Sequence, residues 1–131
     1  MIIDNYGSGR GVKENNIIRE KSYQFALRVI KLYQYITDKK FDNALGKQVL
    51  RSGTSIGALV EEAIQGESRM DFIHKLSIAN KEANETLYWL RLLKDSDIIS
   101  EKPALSMIKD CTEIIKLLTS IINTTKRTHV K

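Results

Sequence analysis

The chain has 131 residues, 42% of them hydrophobic and 28% charged, with a net charge of +5 and a pI near 9.3. That is enough chain for one domain that buries roughly two thirds of its unfolded surface, and the balance is that of a soluble globular protein. No apolar run approaches the ~18 residues of a membrane span, the N-terminus lacks the basic and apolar regions of a signal peptide, and a single cysteine, Cys111, excludes an internal disulfide; a cytoplasmic protein with no membrane partner is expected.

Residues 1–16 are rich in Gly and Asn without periodicity and read as a flexible N-terminal arm. From about Ile17 to about Lys126 four segments carry helical spacing, and residues 127–131 follow as a basic tail. In the first segment Phe25, Val29, Leu32 and Ile36 recur at steps of four, three and four. The second holds the stretch QVLRSGTSIGALVEEA, residues 48–63, whose two glycines and three hydroxyl residues are poor helix formers. Yet Leu45, Val49, Ser52, Ile56, Leu59 and Ala63 make one stripe through it, and Leu50, Gly53, Gly57, Val60 and Ile64 a second beside it. The period passes straight through the glycines, so the segment is a helix. Gly53 and Gly57 then act as helix-packing positions, where a neighbouring helix approaches bare backbone. A phosphate loop would need a preceding strand and a following Lys-Ser/Thr, and neither is present.

The third segment runs Phe72, Leu76, Ala79, Ala83, Leu87, Leu90, started by Ser68 with Asp71 three residues on, a capping-box-like pair. The fourth runs Ala104, Ile108, Cys111, Ile115, Leu118, Ile122, with Ser100 as N-cap and the only proline, Pro103, in the first turn. No segment alternates with period two. The pattern predicts an all-α fold.

The residues LRSGTSIGALVEEA, followed by GESRMDFIHKLSIANKEANETLYWLRLL, also carry a resemblance. Arg51 to Ala58, Glu62-Ala63, Glu67-Ser68, Asp71 to Lys75, Ile78-Ala79, Lys81-Glu82, Glu85 and Tyr88-Trp89-Leu90 resemble the four-helix-bundle proteins of the 23S rRNA intervening-sequence family. The detailed match covers the two middle helices; the outer two agree in pattern and length. One departure is Leu59, where members usually have Asn. The resemblance implies a left-handed up-down antiparallel four-helix bundle that assembles as a ring-like homopentamer. Some relatives are encoded within segments inserted in bacterial 23S rRNA genes. A similar bundle is the accessory protein of diversity-generating retroelements, where a basic pentamer binds a reverse transcriptase and nucleic acid. No catalytic activity is implied.

The residues point the same way on chemistry. Glu61, Glu62, Glu67, Glu82, Glu85 and His74 invite comparison with di-iron bundles, which need Glu-x-x-His on two helices. This chain has only Asp71-x-x-His74, so neither a metal nor a cofactor is expected. Cys111 falls on an apolar stripe and reads as a small core residue rather than a nucleophile. No catalytic residue is assigned.

Two surfaces remain as candidates. On the third helix Ile78, Glu82, Glu85, Trp89 and Leu92 lie away from the core stripe; Trp89 either folds over the bundle edge or anchors an oligomer interface with a polar rim, the reading the resemblance favours. The basic excess lies in 23–45 and 98–131. There Arg28 and Lys31 share an outer face with Tyr35, and Lys102, Lys109 and Lys116 recur every seven residues, continued by Lys126, Arg127 and Lys131. These stripes are either a solvated face or a nucleic-acid-binding surface. The expected partners are further copies of the chain, RNA or DNA, and a nucleic-acid-processing protein; the alternative is a protein-interaction scaffold with no nucleic-acid role.

Overall fold

The structure, a computed structural model, describes the backbone of residues 9–39 and 44–129 and the side chains of residues 13–39 and 44–128. Four helices fill it, α1 (Gly9–Asp38), α2 (Ala44–Ile64), α3 (Arg69–Asp95) and α4 (Glu101–His129), with no strand among the described residues. Each helix packs on its neighbours in sequence, and α1 closes on α4, so α1 and α3 stand on one diagonal and α2 and α4 on the other. Short connections make consecutive helices antiparallel: an up-down four-helix bundle.

The core is continuous from one end to the other. Phe25, Val29 and Ile36 of α1 meet Val49, Ile56 and Val60 of α2, Phe72, Leu76 and Leu90 of α3, and Ile114 and Leu118 of α4, all at most 2% exposed. α2 runs unbroken through Gly53 and Gly57. At Gly53 an added Cβ would lie 2.7 and 2.9 Å from the two methyls of Val29, inside contact distance, so here the absent side chain is what lets α1 approach. At Gly57 the nearest atom would be the Ser22 carbonyl oxygen at 3.4 Å, which leaves room for a methyl group. The two glycines therefore differ: Gly53 sets the spacing, and Gly57 lies over a shallow groove.

The helix ends follow their local chemistry. Ser68 caps α3, its hydroxyl accepting from the Asp71 N–H at 3.0 Å. α3 ends at a left-handed residue, Asp97 (φ 61°), where the Ile98 N–H reaches the Leu93 carbonyl at 3.1 Å. Ser100 and Pro103 open α4 as expected, the Ala104 N–H donating to the Ser100 carbonyl.

Two boundaries differ from the sequence reading. Residues 9–16, assigned to a flexible arm, are the first turns of α1, where Asn15 is buried one turn before Ile18. Burial of Asn15 against the bundle opposes the poor helix propensity of that stretch. Likewise α4 continues to His129, so 127–129 are helix rather than tail. Residues 1–8 of the arm, and Lys131, lie outside the described residues.

Candidate functional site

α4 carries the clearest charged surface. Lys102, Lys109, Lys116 and Arg127 are all exposed, and at 100° per residue they fall within a narrow outward strip of the helix. None of them is in an ion pair among the described residues. Two of the acids of the same helix are engaged by α1: Asp110 is paired with Arg28, and Glu113, which flanks the strip between Lys109 and Lys116, lies 3.6 Å from Lys21; the third, Glu101, is exposed toward α3. The strip is thus net positive, four basic residues flanked by Glu113, whose charge is shared with Lys21 of α1. Lys126 is exposed too, but its position turns it toward α3, off the strip.

Of the basic candidates on α1, Arg28 is committed. Its guanidinium holds Asp110 and donates to the Ser106 hydroxyl at 3.2 Å, bridging α1 to α4 rather than presenting donors to solvent. Lys31 is exposed and lines a groove of about 430 Å³ over Leu32, Ile99, Pro103 and Met107, with Tyr35 at its edge. Lys39 lies 5.3 Å over the Tyr35 ring. The α1 and α4 candidates are therefore not equivalent.

The α3 residues read as an interface are tied into their own chain. Arg51 of α2 donates to Glu82 at 2.9 Å and to Glu85, while the Ser55 hydroxyl meets Glu82 at 2.8 Å. The Trp89 indole N–H donates to the same Glu85 at 3.1 Å, and its ring meets Tyr88 edge-on with centroids 5.1 Å apart. Trp89 is half-buried against the core. Ile78 and Leu92 are half-buried beside it, whereas Tyr88 is 52% exposed. Sequence reading missed Arg51, Ser55 and Tyr88, although Arg51 stands on the flank of α2 that faces the α3 carboxylates.

The carboxylates once compared with a di-iron set are used on the outside of the bundle. Glu61 accepts from Arg19 at 2.7 Å, and Glu62 from Lys75 at 2.9 Å, a bond that together with the Glu62 charge holds Lys75 above its ordinary value. His74 is exposed. Cys111 is fully buried and donates to the Ala83 carbonyl at 3.2 Å. Burial, with the Asp110 charge adding to it, pushes its thiol up to about 12. The thiol stays protonated at neutral pH and is no nucleophile.

Among the buried polar residues, Ser52 and Thr86 meet on the α2/α3 seam. The Ser52 and Thr86 hydroxyls lie 2.8 Å apart, both buried, and Thr86 also reaches the Glu82 carbonyl at 2.7 Å. This pair is satisfied and closed to solvent. It fixes helix register and offers nothing to a ligand.

Comparison with known proteins adds a family. The family model described as "23S rRNA-intervening sequence protein" matches residues 14–120. A crystal structure of a protein with unknown function from the S23 ribosomal protein family of Bacteroides thetaiotaomicron is 49% identical, covering 84% of this chain and 98% of that one, with a TM-score of 0.82. No curated protein matches the sequence.

Proposed function

The chain belongs to the 23S rRNA-intervening sequence protein family, and from that premise we propose that it is a non-enzymatic, oligomeric cytoplasmic protein, most simply a homopentamer, that binds structured RNA or duplex DNA through α4. The observation that carries the reading is the exposed strip Lys102, Lys109, Lys116 and Arg127, none of them ion-paired among the described residues, while Asp110 and Glu113 are engaged by α1. A strip of lysines on the outside of a helix meets phosphates rather than base edges, so binding is weakly sequence-specific and salt-dependent. Repetition of the strip by every copy in an oligomer raises the local field. Single-strand stacking contributes little, since the strip holds no aromatic side chain.

The test is a fluorescence-anisotropy titration of a structured RNA and a duplex DNA at two salt concentrations, comparing the wild type with K102E/K109E/K116E. Wild type should bind both and weaken steeply with salt, and the variant should lose binding while keeping its helical content. Absence of salt-dependent binding by the wild type, or equal binding by the variant, would put the protein-interaction scaffold in its place.

A further inference from the structure

Two outward faces of the bundle are apolar and unpartnered. On α1, Tyr23, Leu27 and Ile30 recur at steps of four and three and are 60%, 40% and 40% exposed. On α3, Tyr88 is exposed over half-buried Trp89 and Leu92. A single-sided amphipathic helix has no use for either face. The two stand on diagonally opposite helices, so no contact within one chain can bring them together.

Both faces lean toward α2. Tyr23 lines the groove of about 240 Å³ between α1 and α2, beside Ala26, Gly57 and Ala58. Trp89 is joined through Glu85 to Arg51 of α2. They are also close in height along the bundle. Val29 lies against Gly53, and Ser52 against Thr86, which sets Val29 and Thr86 at one level of the parallel helices α1 and α3. From that level, at 1.5 Å per residue, a slide of about one turn brings Tyr88 beside Leu27 and Leu92 beside Ile30. The same slide sets Lys81 of α3 against Glu20 of α1. Both are exposed, and neither is in an ion pair among the described residues.

We infer that the α3 face of one copy docks on the α1 face of the next, head to tail, with Lys81 against Glu20. The occupant of each face is a second copy of this chain. A self-complementary two-fold contact would cover only one of the faces; the head-to-tail contact covers both and repeats. Because both faces lean toward α2, successive copies turn the same way, with α2 toward the ring axis and α4 outward, and the one-turn offset closes into a ring with each bundle tilted to that axis. The α4 lysine strip then lies on the rim. This assignment rests on the oligomeric reading above and adds which surfaces make it.

The test uses thiol cross-linking of co-expressed chains with a short bifunctional maleimide, native Cys111 being buried. Leu27→Cys alone and Tyr88→Cys alone should give no linked species. Chains carrying one substitution each should link in pairs, and the double variant L27C/Y88C should give a ladder that stops at the closed ring. Glu20→Lys should weaken assembly at least ten-fold in sedimentation, and adding Lys81→Glu should restore it. Self-linking of either single variant, or an oligomeric wild type that gives no mixed product, overturns the assignment while leaving the oligomer in place. A wild type that sediments as a monomer overturns both.

Discussion

The seams on either side of α1 are built differently. Toward α2 the backbone is in contact: Val29 fills the space where Gly53 has no side chain, and beyond it α2 is locked to α3 by Ser52 and Thr86 inside and by Arg51, Glu82 and Glu85 outside. Toward α4 the helices are held apart. Lys21 and Arg28 span the gap to Glu113 and Asp110, and grooves of about 320 and 430 Å³ open along it. The first arrangement fixes register and, at Gly53, tolerates no added volume. The second is held by long side chains in water, and it draws Asp110 and Glu113 toward α1, leaving the outer strip of α4 net positive.

The largest effect should come from filling the tight seam. Gly53→Val drives a branched side chain into the Val29 methyls and should cost about 3 kcal/mol or more, in the range of severe overpacking, read by urea denaturation. Gly53→Ala should still cost about 1–2 kcal/mol, because the ~1 kcal/mol gained in helix propensity is smaller than the overpacking. Gly57→Ala should be neutral or stabilise by up to ~1 kcal/mol, since a methyl group fits there. If Gly53→Ala and Gly57→Ala behaved alike, the contrast between the glycines would fail.

Next comes the α3/α4 seam at alkaline pH. Cys111 holds its proton to about 12 in the native state, against a reference value of 9.0. The unfolded chain therefore loses that proton first, and stability that is intact below pH 9 falls as pH rises toward 12. Cys111→Ala should flatten this slope, measured as the midpoint of urea unfolding from pH 8 to 10.5. A parallel decline in both proteins would remove the thiol as the cause.

The α1/α4 seam should respond least. Arg28→Ala breaks an ion pair whose partners are both more than a third exposed, and should cost no more than ~1 kcal/mol. Lys21→Ala should change the urea midpoint barely at all. A loss from Arg28→Ala comparable with that from Gly53→Val would contradict the picture of a loosely bridged seam.

Much of this was legible in the sequence, and the exceptions share a cause. The four helices, the unbroken passage through Gly53 and Gly57, the Ser68 cap and the place of Pro103 all depend on near neighbours along the chain, which spacing reveals. The start of α1 was missed because Gly9 and Gly11 weaken local propensity, while the packing of Asn15 and Ile18 comes from distant helices. Arg28 was read as free because its partner, Asp110, is 82 residues away. Periodicity cannot show that Lys102, Lys109 and Lys116 differ from Arg28, since all four lie on outer faces; only the pairing across the seam separates them. Tyr23, Leu27 and Ile30 were overlooked for a related reason. Beside the buried Phe25 and Val29 they look like the margin of one broad apolar face, and only the packed bundle leaves them outside.

The difference between a free strip and a committed arginine is tested most directly by the salt dependence of nucleic-acid binding. Each phosphate contact contributes close to one unit to the slope of log affinity against log salt. For a short RNA hairpin, Lys109→Gln should lower the slope by about one, while Arg28→Gln should leave it unchanged because that guanidinium is already held by Asp110. Equal slopes for wild type and Lys109→Gln, or a loss of the same size from Arg28→Gln, would contradict α4 as the phosphate-binding face.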